Sequence, residues 1–308
     1  MLRWRLLSAG VILSILIGLM ALDYGRFGAP ILGLWILPFF LAVVAMATHE
    51  CLALLAAQGM HPIRWPAFVG SLLVVLATYA ATAIHHSDGT LTTQERWMAL
   101  AWTSIAMAMA LILTMAVYVS QYDGPARHLV HAALTMFTIA YVALPMSFLV
   151  VLRMFYNNQW GMTAVVSLLV VVKMSDVGAY FTGRMLGRRK LFPALSPGKT
   201  LEGTVGGVLA SSVASWFFFM WIAPMIVGAQ DYVRPAIMPT LVYGLVVGSL
   251  GVIGDLAESM FKRDSARKDS SNWLPGLGGV LDILDSVLLS APAAYLFWGA
   301  GLLGPQTT

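Results

Sequence analysis

The sequence predicts an all-α, polytopic integral membrane protein with about nine transmembrane helices, and three observations carry that prediction. Of its 308 residues, 59% are hydrophobic and only 10% are charged, against about 25% charged in a typical soluble domain. Apolar runs of the roughly 20 residues needed to cross a bilayer recur along the whole chain. The ionisable residues gather in a few stretches between those runs, most of them in the second half.

In chain order, the runs fall near 6–22, 30–48, 67–84, 98–120, 129–151, 162–182, 204–227, 236–257 and 277–301. Arg3 and Arg5 precede the first run as in a signal peptide, but no small-residue cleavage site follows near Ala21 and Asp23, so a retained span is expected. With a cytoplasmic N-terminus, the inner segments hold 13 of the 18 Lys and Arg residues. The outer segments hold Arg26, Arg96, Arg153 and Arg234, and Lys173 lies within a span. The positive-inside rule then places the loops 184–203 and 258–276 together in the cytoplasm, on an expected cell (inner) membrane protein. The formal charge of +4 is what such loops produce and calls for no nucleic acid. A single cysteine, Cys51, excludes an internal disulfide, and no Cys/His spacing suggests zinc, so any metal must be held by oxygen.

Residues 1–160 read as an N-terminal transmembrane scaffold with few ionisable groups inside its spans. Its histidines (His49, His61, His85, His86, His128 and His131) fall near predicted span ends and are expected at the interface. Residues 161–308 read as the catalytic transmembrane region. There Lys173 and Asp176, three apart and therefore on one helical face, interrupt an apolar run. Charge inside a span is costly, so the two either neutralise each other or face a polar cavity.

The following loop holds Arg184, Arg188, Arg189 and Lys190, which serve as an orientation signal or bind anionic headgroups. Next comes Ser196-Pro-Gly-Lys199-Thr200-Leu-Glu202-Gly203, where Pro and Gly make a turn and Lys199 and Thr200 open a helix whose N-terminal amides favour an anion. It lacks the spacing of a P-loop and follows no predicted strand.

The densest stretch is 254–286, with six of the fourteen carboxylates: Asp255, Glu258, Asp264, Asp269, Asp282 and Asp285. Asp255, Glu258 and Ser259 share a helical face at the end of one span. Asp282 and Asp285, three apart, begin the last, where the helix macrodipole alone would welcome an acid. Lys262, Arg263 and Lys268 lie between, while Asp264 and Arg267 suit local ion pairs in a solvated loop. Paired carboxylates repel unless protonated or bridged by a cation, and hard oxygen ligands suit Mg²⁺ bound between carboxylates and substrate phosphates. Acids for a metal beside bases for phosphate are the pattern of phosphoryl or nucleotidyl transfer.

Ser259-Met-Phe-Lys262-Arg263-x4-Lys268-Asp269-Ser-x3-Leu-Pro275-Gly-x-Gly278-Gly279-x-Leu-Asp282-x2-Asp285-Ser286 closely resembles the signature of phosphatidate cytidylyltransferases, or CDP-diacylglycerol synthases. Asp176-Val-Gly-Ala-Tyr-Phe-x-Gly-Arg184 and Ser196-Pro-x-Lys199-Thr-x-Glu202-Gly-x3-Gly207 resemble two further blocks of that family, so the likeness covers about residues 170–290. Two positions depart from it: Leu277 stands where the family usually has His, and Ile283 where it usually has Arg. The resemblance implies attack of phosphatidic acid on the α-phosphorus of CTP, giving CDP-diacylglycerol and pyrophosphate at the cytoplasmic face. It implies Mg²⁺, with room for a second cation. Asp255 and Asp282 would be the principal metal ligands, supported by Glu258, Ser259 and Asp285. By charge and position, Lys199, Lys262, Arg263 and Lys268 would meet the phosphates, with Asp176, Ser196, Thr200, Glu202 and Asp269 expected in the same site. Homodimers are also implied. A CTP-dependent polyprenol or phytol kinase or a cytidylyltransferase for another lipid phosphate would share these residues. A cation-coupled transporter using Lys173 and Asp176, or an inactive lipid-binding scaffold, are readings of a different class.

Overall fold

The structure, a computed structural model, describes residues 2–24, 33–85, 93–125, 127–271, 273–274, 276 and 278–305. Arg26, His86 and Leu277 lie outside the described residues. Helices α1 (Leu2–Tyr24), α2 (Leu37–Ala57), α3 (Arg64–His85), α4 (Thr93–Ser120), α5 (His128–Arg153) and α6 (Asn158–Leu186) come first. A two-stranded antiparallel ribbon follows, β1 (Lys190–Phe192) and β2 (Ser196–Thr200), in which Lys190 faces Thr200 and Phe192 faces Ser196. Then come α7 (Leu201–Phe217), a π-helical turn at Phe218–Ile222, α8 (Ala223–Val227), α9 (Ile237–Asp264) and α10 (Leu281–Gly299).

Among the described residues, eight helical stretches are long and apolar enough to cross a membrane, and the chain is a membrane protein. The first expected span, 6–22, falls on α1, whose described apolar stretch, Ser14–Tyr24, is shorter. Among the described residues, the ribbon is the one β element, which the all-α expectation did not contain. The seventh span is continuous across Leu201–Val227, with the π turn taking up the irregularity just before Pro224, which has no N–H to donate.

Two boundaries differ in ways that matter for function. The second span, expected at 30–48, is the helix Leu37–Ala57, which starts at the Leu37-Pro38 pair and ends at Gly59 with φ +76°. His49, Glu50 and Cys51, expected at or beyond the span end, therefore lie on the helix, where Glu50 and Cys51 are buried. The eighth span, expected to stop at 257, continues as helix to Asp264 and carries Glu258, Ser259, Lys262 and Arg263 with it.

The chain packs as two units. Met1–Val151 with Phe261–Ile283 form the first, and Leu152–Met260 with Leu284–Thr308 the second. In the first, buried Val44, Ala47 and Leu55 of α2 share the interior with Val74 of α3, Ala110 of α4 and Ile139 of α5. Polar pairs are tied off inside it: Thr48 Oγ1 donates to Ser71 Oγ at 3.2 Å, and the Thr78 and Thr103 hydroxyls lie 2.7 Å apart. Phe261 packs edge-on against Phe137 and Tyr141.

In the second unit, α7 meets α9 through small residues, as close-packed membrane helices do. Ser211 Oγ donates to the Gly244 carbonyl at 2.9 Å, Ser212 Oγ to that of Leu241 at 2.9 Å and Ser215 Oγ to that of Thr240 at 2.6 Å. Phe155, Trp160 and Phe219 pack their rings around Trp298 in the same unit. The Tyr232 hydroxyl donates to the Phe219 carbonyl at 2.6 Å, and burial raises that phenol above its ordinary range. Arg153, expected in a loop, ends α5 and is buried, with Nη2 donating to Asn158 Oδ1 at 2.7 Å.

A leucine at Ser215 would lose the bond to Thr240 and press against Gly244, whose own missing Cβ already abuts Ser215. Overpacking of this kind costs about 1–3 kcal/mol. Thermal unfolding in detergent should show a lowered midpoint for Ser215→Leu; an unchanged midpoint would mean that α7 and α9 do not need the close approach.

Candidate active site

The second unit gathers charge from five elements. On α6, Lys173 Nζ donates to Asp176 Oδ2 at 3.4 Å, and both side chains are about half exposed. The ribbon supplies Ser196, Lys199 and Thr200. Thr200 is the N-cap of α7, its Oγ1 accepting from Gly203 N at 3.1 Å, so α7 begins one residue after the expected Lys199-Thr200 opening. Glu202, in the first turn of α7, accepts from the backbone N–H groups of Arg188 at 3.0 Å and Arg189 at 3.1 Å. It thereby ties the loop ahead of the ribbon to the helix start. These bonds hold the 188–202 segment in one shape and present Lys199, whose ammonium forms an ion pair with the Asp255 carboxylate of α9.

One turn further along α9 is Glu258, and α10 brings Asp285 to the same place. One carboxylate oxygen from each of Asp255, Glu258 and Asp285 lies within 4.8 Å of the others, with Glu258 and Asp285 buried. The backbones can approach because residue 254 is glycine: a Cβ there would collide with the Asp285 carbonyl. The Gly254-Asp255 pair thus has a physical reading, in which the glycine lets one helix come close enough for the next residue to share a site. An all-oxygen set of three carboxylates from two rigid helices fits a hard divalent cation. It does not fit the nitrogen and sulfur sets that select zinc.

Apart from Ser259, which lies in the second unit, the first unit holds the other residues that the sequence singles out. Asp282 Oδ1 accepts from Lys262 Nζ at 2.7 Å, while Oδ2 accepts from Ser270 N at 2.9 Å, Ser270 Oγ at 2.7 Å and Gly279 N at 2.7 Å. Asp282 and Asp285, one turn apart on α10, therefore serve different partners: Asp285 joins the carboxylate cluster, and Asp282 anchors the Ser270–Gly279 loop and Lys262. Arg263, Lys268 and Asp269 are exposed, and Ser259 is half-buried on α9.

One functional candidate escaped the sequence reading. Glu50 of α2 is fully buried and accepts four hydrogen bonds from the 270–281 segment. The signal that could have found it is the rule applied to Lys173 and Asp176, that charge within an apolar run needs a partner. Ending the second span at 48 hid it.

A family model described as the cytidylyltransferase family matches residues 4–300. The chain belongs to the cytidylyltransferase family. The chain is 34% identical over 310 residues to the phosphatidate cytidylyltransferase of Pseudomonas aeruginosa, covering 99% of this chain and 100% of that protein. To that of Chlamydia pneumoniae it is 33% identical over 261 residues, covering 82% and 79%. To that of Bacillus subtilis it is 31% identical over 264 residues, covering 84% and 88%. The family match includes the N-terminal spans, which the sequence motifs alone did not tie to the catalytic half.

Even one methyl group at 254 meets the Asp285 backbone, so Gly254→Ala should move α10 off α9 and lower both thermal stability and turnover with the protein still inserted in the membrane. Parent-like values for both in a purified Gly254→Ala protein would show that the cluster tolerates the displacement.

Proposed function

We propose that this protein is a phosphatidate cytidylyltransferase, transferring the CMP moiety of CTP to phosphatidic acid and releasing pyrophosphate. The observation that carries the reading is the meeting of Asp255, Glu258 and Asp285, with the Lys199 ammonium on Asp255. The printed names of the relatives support the choice of substrates.

The phosphate of phosphatidic acid is already an anionic nucleophile, so no strong general base is needed. A phosphatidate oxygen forms a bond to the α-phosphorus, and the bond from that phosphorus to the bridging oxygen of the β-phosphate breaks. Two anions must be brought together, so the protein's task is alignment and charge neutralisation. Magnesium held by Asp255, Glu258 and Asp285 would supply a divalent positive charge to the phosphate oxygens. Lys199 contributes a cation from the ribbon, and Lys173 and Asp176 add a charged pair on α6. Thr200 and Glu202 shape the loop that presents Lys199, and Ser196 begins the strand that carries it. The resemblance further makes Asp282 a principal metal ligand beside Asp255, with Ser259 in support; by charge and position Lys262, Arg263 and Lys268 meet the phosphates, with Asp269 in the same site. It also assigns a homodimer, which the light-scattering mass of the detergent complex checks.

Purified protein incubated with CTP, phosphatidic acid and Mg²⁺ should yield CDP-diacylglycerol by mass. Asp255→Asn, Asp285→Asn and Asp282→Asn should each lower turnover by about 100-fold or more, since even groups that only orient metal ligands cost about 10- to 100-fold. Chelation should abolish turnover and added Mg²⁺ restore it. A lipid monophosphate plus CDP would mark a CTP-dependent kinase instead, and ion flux without CTP turnover a transporter.

We place the active site at the cytoplasmic face, because CTP comes from the cytosol and the basic loops are expected there. Cys51, the only cysteine, is buried and gives a quiet background for labelling. In intact cells an impermeant maleimide should label Arg234→Cys at once and Arg189→Cys only after permeabilisation; the reverse pattern would invert the topology.

A further inference from the structure

The geometry points to Glu50, on the second helix of the scaffold half, as a positioning residue for the catalytic motif more than 200 residues away. Its carboxylate accepts four hydrogen bonds. Oε1 takes Ser271 Oγ at 2.7 Å and Val280 N at 2.9 Å, and Oε2 takes Ser270 Oγ at 3.0 Å and Leu281 N at 2.7 Å. Two of these donors are backbone N–H groups at the start of α10, which have no partner within the helix and face the positive end of its dipole. Glu50 thus caps α10 from another helix while holding both serines of the loop before it.

Asp282 is built onto the same scaffold. Its Oδ2 shares Ser270 with Glu50, taking both the backbone N–H and the hydroxyl of that residue, and also takes Gly279 N. The Ser270 hydroxyl has one proton and lies between Glu50 Oε2 and Asp282 Oδ2, so the position of either carboxylate sets that of the other. The glycine pair in the motif reports the same crowding. A Cβ at Gly279 would collide with Ser270 Oγ and the Glu50 carboxylate, and Gly278, at φ +88°, would place one against Asp282 Oδ2.

A carboxylate buried among apolar helices is costly unless fully hydrogen-bonded, and simple packing at this place would be served by an apolar side chain. What four converging bonds add is a fixed direction for α10's first turn and hence for Asp282 and its partner Lys262. Glu50 touches no reacting atom in this account; it acts through Ser270, Ser271 and the α10 amides.

The turnover half of this inference rests on the cytidylyltransferase reading, and the exchange half does not. Glu50→Gln keeps the shape but sets an NH₂ against N–H donors. In the purified full-length protein, hydrogen exchange in peptides spanning 268–284 should quicken by about 5- to 100-fold, the factor that corresponds to losing a buried bond. Peptides from 158–186 should be unchanged. With CTP, phosphatidic acid and Mg²⁺, kcat should fall about 10- to 100-fold, as for groups that orient metal-site residues, with KM for CTP little altered. Glu50→Asp, which keeps the charge, should recover part of kcat. Combined with Ser270→Ala, Glu50→Gln should cost less than the two losses multiplied, because both act on one network. Parent-like kcat and exchange in Glu50→Gln would overturn the proposal, as would faster exchange spread over every span, the mark of a general packing role. If Glu50→Gln is not recovered from the membrane, Ser271→Ala removes one donor and reads the same local exchange, and its absence overturns the proposal equally. If the parent makes no CDP-lipid, the functional reading falls, and the exchange result alone decides whether Glu50 holds the loop.

Discussion

Carboxylates placed within apolar helices are the constraint on which this structure depends. Each must be met by a cation or by hydrogen-bond donors, because the surroundings offer no water to do so. The protein meets the requirement in three ways. Asp255 faces Lys199, Asp282 faces Lys262 and three N–H and O–H donors, and Glu50 takes four donors of its own. Asp255, Glu258 and Asp285 crowd together in the geometry that a divalent cation would relieve. Structure and chemistry share one cause here: the charge that would destabilise an inert bundle is the charge that phosphoryl chemistry needs.

Small residues make the arrangement sterically feasible. The serines of α7 reach carbonyls of α9, and Gly254 lets the α10 backbone approach at the depth where Asp255 and Asp285 meet. Gly279 leaves room for Glu50 and Ser270. In lipid, helix association gains little from burying apolar surface, so close backbone contact and inter-helix hydrogen bonds carry more of the specificity. These contacts set where the clustered carboxylates stand, so a glycine beside an acid governs how closely the acids approach.

Much of the site was legible because helical spacing is a strong signal. Asp255 and Glu258, three apart, do share a face, and so do Lys173 and Asp176, which form an ion pair, one of the two readings open to them. Spacing failed at Asp282 and Asp285, equally three apart but directed to different partners, because the direction of a side chain's bonds depends on which neighbours approach each face. It also failed at Glu50. The apolar run 30–48 ended at His49-Glu50, where a polar pair looks like an interface, yet the helix continues to Ala57 because the polar group finds its donors inside the fold. The ribbon at Lys190–Thr200 was invisible for another reason: strands of three and five residues carry too few alternations to register, and the pairing is held by Glu202 and Thr200 rather than by an apolar face.

The amino-acid sequence by itself determined the membrane class, the rough order of the spans, the concentration of charge in the second half and the family motifs. All of these follow from local quantities: hydropathy summed over about 20 residues, charge counts between runs and residue spacing along one helix. Only the tertiary structure decided which carboxylates meet, that Asp285 joins Asp255 and Glu258, that Asp282 belongs with Lys262 and Ser270, and that Glu50 from the scaffold half closes the motif loop. Those are contacts between segments far apart in the chain, set by how closely backbones can approach and by which buried donors need acceptors. No local pattern encodes either.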